Sequence, residues 1–141
     1  MRNGPTIRSA VPEMKLELVP IPVSDVDRAK AFYVEQLGFH LDHDVNPVNG
    51  TRVVQLTPPG SACSIVIGTG LGEISEMRPG LVKGIHVVVQ NIVEAREALL
   101  DRGVEVAEIQ DLGGILLARF ADPDGNSWLL QEIPARFKKA S

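Results

Sequence analysis

Three things are scarce in this chain of 141 residues: cysteine, blocks of positive charge, and long apolar runs. Cys63 is the single cysteine. No intrachain disulfide is possible, and a reducing compartment, the cytoplasm, is expected. No block of Lys or Arg precedes the short tail Arg136, Lys138, Lys139, and the formal net charge is -4. That balance argues against nucleic acid and anionic membranes as partners. No apolar stretch is long enough for a membrane span, and the first residues, MRNGPTIRSAVPEM, lack the apolar core of a signal peptide. A phosphate loop is missing too, since GTGLG is not followed by Lys-Ser/Thr. What remains is a chain with 44% hydrophobic residues, enough for the core of one ordinary domain.

The chain states its plan twice, about 65 residues apart. LELVPIPVSDVDRAKAFYVEQLGF answers VKGIHVVVQNIVEAREALLDRGV, and TPPGSACSIVI answers ADPDGNSWLLQEI. Each copy reads as a strand, a helix and three strands. Residues 16–23 and 82–89 alternate as strands. Pro20 and Pro22 mark the first as an edge or a strand with one free side. Ser24 with Asp27, and Asn91 with Glu94, read as helix caps. Gly38 and Gly103 end the helices, whose stripes are Val26, Ala29, Phe32, Tyr33, Leu37 and Ile92, Ala95, Ala98, Leu99. Further strands are expected at 39–45, 52–57, 62–67, 104–110, 115–121 and 126–132, separated by Asn, Pro and Gly turns. The expected organisation is an arm at 1–14, a first βαβββ module at 15–67, a linker at 68–81, a second module at 82–133, and a tail at 134–141. The fold class is α+β, with eight strands curling into a cup and the helices outside.

Alternation assigns the faces. Val19, Ile21, Val23, Ile85, Val87 and Val89 should pack under the helices, with Cys63, Ile65, Trp128 and Leu130. Leu16, Leu18, Pro20, Gly84, His86 and Val88 should face the cup, with Ala62, Ser64, Val66, Ser127, Leu129 and Gln131.

PVSDVDRAKAFYVEQLGF and FADPDGNSWLLQE, in this order on a duplicated frame, resemble the glyoxalase / bleomycin resistance / extradiol dioxygenase superfamily, the vicinal oxygen chelate proteins. The resemblance covers residues 16–133. It implies four metal-ligand positions in the cup, usually His and Glu, one on the first and one on the last strand of each copy. Carried onto this chain they are Leu18, Ser64, Gly84 and Leu129, with Ser64 placed by aligning the Pro-Pro-Gly and Pro-Asp-Gly turns. Divalent transition metals need imidazole, carboxylate or thiolate groups converging on one point. The expectation is therefore no metal and no other cofactor, and glyoxalase I or ring-cleaving chemistry is disfavoured. Family members of this length commonly form homodimers, so a homodimer is expected.

His86 is the sharpest candidate: a ligand contact, or a general base if the protein is an enzyme. Gln131, Ser64 and Gln55 are polar residues on inward faces, able to orient a ligand in an apolar pocket with Leu18 and Leu129. They could equally bond one another. His43 shares a strand face with Phe39 and Leu41 and reads as an exposed histidine between Asp42 and Asp44. His40 falls on the opposite face, in water. Trp128 reads as core, and Cys63 as a small hydrophobe rather than a nucleophile. Asp122, Asp124 and Asn126 read as a tight turn, since the rest of a calcium loop is missing. The facing of Arg119 decides whether an acidic ligand suits the cup.

Three functions fit: a metal-free protein holding a small apolar or aromatic molecule in the cup; a lyase, isomerase or dioxygenase using a displaced metal site or His86; and a dimeric scaffold with a vestigial cup.

Overall fold

The computed structural model describes residues 8–134, so half of the expected arm and all but the first residue of the expected tail lie outside the described residues. Two four-stranded sheets form, ordered β1-β4-β3-β2 and β5-β8-β7-β6. The first contains β1 (Leu18–Pro20), β2 (His40–Val45), β3 (Arg52–Thr57) and β4 (Ser64–Thr69). The second contains β5 (Ile85–Val88), β6 (Gln110–Leu112), β7 (Ile115–Ala121) and β8 (Ser127–Glu132). β1 pairs with β4 and β5 with β8 in parallel; the other pairs are antiparallel. The βαβββ plan is thus present twice. β1 and β5 are edge strands; for β1 this accords with Pro20 at its end and Pro22 just after it.

Helices α1 (Val26–Ala31) and α3 (Ile92–Asp101) each cover one face of their own sheet. A four-residue helical turn, α2 (Glu73–Glu76), lies between the modules. The cap of α3 is Asn91, whose side chain accepts from Glu94 N. The cap of α1 is Asp25, not Ser24: Asp25 accepts from Arg28 N, while Ser24 bonds Asp124 across the modules. Both residue types can cap, and the tertiary partner decided between them. After Ala31 the helix widens into a π-helical turn, Phe32–Gln36, closed by Leu37 N on Phe32 O. The carbonyls of Glu35 and Gln36 then accept from Arg102, at the end of α3.

Of the strand expected at 104–110 only Gln110 is in a strand, β6 running Gln110–Leu112. Val104 and Val106 are buried and alternate correctly, but the preceding segment joins β7 only through Ala107 N on Arg119 O. Side-chain burial gave this stretch its period without a ladder.

The helix-side assignments hold except for Cys63, which precedes β4 and is not part of the core. Ile21, Ile65, Trp128 and Leu130 are core residues, and Val19, Val23, Ile85, Val87 and Val89 pack against it. Ile92 is buried, whereas Ala95 and Leu99 are half-buried and Ala98 is exposed. The modules meet through α1 and the β7–β8 turn. Tyr33, fully buried, donates to Asp122 Oδ2 at 2.8 Å and accepts from Trp128 Nε1 at 3.1 Å. Asp122 also accepts from Asp124 N, Asn126 N and Asn126 Nδ2, and Asn126 Nδ2 donates to Pro22 O. Phe39 and Phe120 pack on Trp128.

Candidate functional site

The faces turned away from the helices are partly open among the described residues. On the second sheet Val88 is 63% exposed; Leu16, expected on the first, lies before β1 and is 78% exposed. On the first sheet Leu18 lies opposite Ser64, Pro20 opposite Val66, and Gln55 opposite Val66. Cross-strand partners share a face, so Leu18, Ser64, Val66 and Gln55 make one surface. Ser64 and Val66 are buried in it; Leu18 and Gln55 are half-buried.

A register shift between Leu41 and His43 alters this face. Leu41 sits opposite Leu56 on the core side, but His43 sits opposite Gln55. The bulge therefore separates His43 from Leu41, against the face-sharing read from alternation, and puts it on the open side. His40 is opposite Thr57, so it too belongs to the open side rather than the other; it is exposed, as expected.

The bulge also brings Asp42 to Thr57. A polar chain results: His40 Nδ1 to Asp42 Oδ1 at 2.8 Å, Thr57 Oγ1 to Asp42 Oδ2, Thr57 Oγ1 to Ser64 Oγ at 2.6 Å, and Gln55 Nε2 to Ser64 Oγ at 3.2 Å. The bond from Thr57, then the one from His40, holds the Asp42 carboxyl below its usual range. Asp42 had no sequence signal as a site residue, because a bulge is invisible to strict alternation; Thr57 shares the face of Gln55 by alternation and was overlooked.

On the second sheet His86 lies opposite Leu129, and Val88 opposite Gln131. Arg119 is opposite Leu129, which puts it on this open face, and it is exposed. Leu129 and Gln131 are half-buried. His86 is exposed, with Nδ1 2.7 Å from Gly84 O. A carbonyl only accepts, so Nδ1 carries a proton and, in the neutral ring, Nε2 is an acceptor. The first set of site residues is thus gathered on one sheet and the second on the other. Among the described residues no hydrogen bond links the two sets.

The family's metal positions fail a chemical test here. Leu18, Leu129 and Gly84 offer no side-chain donor, and Ser64 Oγ is engaged with Thr57 and Gln55. The register also refines the fourth position. Ser64 pairs with Leu18, whereas Gly84 N bonds the carbonyl and hydroxyl of Ser127, two residues before Leu129. By that offset the counterpart of Leu129 is Val66, which is no better a ligand. Among the described residues no group of three or more His, Cys, Asp or Glu is placed to hold a metal ion. Asp122 and Asn126 spend their side chains on the turn and on Tyr33, as the tight-turn reading expects. Cys63 is half-buried, its thiol 3.6 Å from Ser64 O.

A separate apolar groove of about 520 Å³ runs beside α3, lined by Phe39, Pro59, Val87, Ala98, Leu99 and Leu130 and bordered by His86. It explains why the stripe of α3 is only partly covered. No described helix is long and apolar enough to cross a membrane.

Known proteins fit this geometry. The chain is similar to TnmS3, an antibiotic binding protein from Streptomyces sp. CB03234, at 31% identity and TM-score 0.78, covering 89% of this chain and 100% of that one. It is similar to a glyoxalase/bleomycin resistance protein from the same organism, at 34% identity and TM-score 0.70, covering 82% and 98%. A superfamily member from Sphaerobacter thermophilus DSM 20745 shares 31% identity at TM-score 0.74, covering 85% and 98%. No curated protein sequence matches the chain. The family model for the Glyoxalase/Bleomycin resistance protein/Dioxygenase superfamily matches residues 15–130, and the chain belongs to that superfamily.

Proposed function

We propose that this is a metal-free small-molecule-binding protein that holds a small apolar or aromatic ligand, of the antibiotic kind, on the open faces of its sheets. The observation that carries this reading is the occupancy of the family's ligand positions by Leu18, Gly84, Leu129 and either Ser64 or Val66. Around them the same faces keep apolar walls with a few polar groups, the mixture of a small-molecule site. The similarity to an antibiotic binding protein supports the ligand class. Arg119 on the face of Leu129 extends that class to aromatic molecules with an acidic group.

Both faces adjoin an edge strand, and among the described residues Val88 on the second is 63% exposed. A homodimer would cover it, and two-fold pairing is the commonest assembly.

Elemental analysis of the purified protein tests the metal-free part. The expected result is well below one transition-metal ion per chain. About one Ni, Zn, Mn or Fe per chain, lost on His86→Ala, would overturn it. For a ligand found by screening, His86→Ala should weaken binding by about 1–2 kcal/mol, the scale of one buried hydrogen bond.

A further inference from the structure

We propose that the polar chain on the first sheet makes this site selective for a ligand that donates a hydrogen bond, a planar apolar molecule bearing a phenolic hydroxyl, by fixing which end of the Gln55 amide is offered to it. This rests on the reading of the open faces as the ligand site.

The direction of each bond follows from counting protons. Asp42, as a carboxylate, has none, so it accepts from Thr57 Oγ1 and from His40 Nδ1. Thr57 has one hydroxyl proton, and Asp42 takes it. The 2.6 Å contact between Thr57 and Ser64 must then use the proton of Ser64. Ser64 Oγ is left as an acceptor, so Gln55 must turn Nε2 toward it, at 3.2 Å. The reversed amide would set its carbonyl oxygen against an oxygen with no proton to give. Gln55 thus keeps its Oε1, which has no partner among the described residues, together with one N–H. Gln55 is half-buried on the same face as Leu18 and Val66. On the second sheet His86 presents an acceptor as well, because its Nδ1 proton is committed to Gly84 O. Asp42, Thr57 and Ser64 are positioning residues: they act through Gln55 and need not touch the ligand.

The test compares 2-naphthol with 2-methoxynaphthalene, which keeps the rings and the oxygen but has no proton to donate. Fluorescence titration of the full chain should show 2-naphthol binding about tenfold tighter, a difference of about 1.4 kcal/mol. Thr57→Val is nearly isosteric and releases the proton of Ser64. It should cut the preference to about twofold or less while the thermal midpoint stays high enough for a folded protein. Ser64→Ala should do the same by a second route, and serves if Thr57→Val fails to fold. Equal affinity of the two probes for wild type would overturn this proposal and leave the ligand site standing. So would a preference untouched in both variants. If neither probe binds wild type, this proposal falls, and the ligand-site reading is decided by the wider panel of aromatic compounds.

Discussion

Tyr33 shows how much one residue carries here. Its hydroxyl is shared between Asp122 and Trp128 in the buried junction of the modules. Burial, reinforced by the nearby Asp122 charge, pushes its ionisation far above the usual tyrosine range, so it remains a donor. Tyr33→Phe strips a proton from Asp122 and an acceptor from the Trp128 indole. The expected loss is about 1–3 kcal/mol of stability, the cost of leaving buried polar groups unpaired, read as a lower urea midpoint. Asp122→Ala should cost at least as much, because Asn126 Nδ2 and the turn N–H groups of Asp124 and Asn126 lose an acceptor too. At this scale the sequence was partly legible. Trp128 and Tyr33 were readable as core from helix and strand period. The role of Asp122 was not, because its partners lie in a distant helix and the turn explained its presence sufficiently.

At the scale of elements, β2 and β3 are tied to α1 by charge. Arg52 reaches Asp44 at 3.0 Å and Asp27 at 2.7 Å, and Lys30 reaches Asp44 at 2.7 Å. Hydrogen bonds from Arg52 and then Lys30 hold the Asp44 carboxyl far below its usual value of 3.8. Its folded-state value is depressed, so the contribution to stability is present above the unfolded value and is lost as pH falls through and below it. Thermal melts between about pH 6 and pH 2 should show wild type losing more of its midpoint on acidification than Asp44→Asn. Parallel curves would contradict this account of the network. The same strands show where element-level reading stops. The period of two located β3 and β4 and gave the core face of both. It missed the bulge in β2, which costs nothing in composition and moves His43 to the open face. At 104–110 alternating burial imitated a strand. At the start of α1, Ser24 and Asp25 were equally good caps until Asp124 arrived from the other module.

For the whole molecule, the duplication made the architecture readable before any coordinates, since two copies of one weak pattern constrain each other. The assembly is not written in any local pattern. Among the described residues Val88 is exposed on the face of the second sheet turned away from the helix. Light scattering at micromolar concentration should give about twice the chain mass of 15.2 kDa, and Val88→Lys should shift the protein toward monomer. Monomer alone in wild type would count against the dimer. The central claim is that an open face binds a small aromatic molecule without metal. The most direct measurement is a thermal shift of chelator-treated protein against a panel of aromatic antibiotics, run beside Leu129→Arg, which places a long cation on that face. A ligand present at about 100 times its Kd should stabilise wild type by about 2.7 kcal/mol, a rise of several degrees. The account predicts such a rise for at least one compound without added metal, and its loss in Leu129→Arg. Stabilisation that appears only with a divalent metal, or that survives intact in Leu129→Arg, would contradict it.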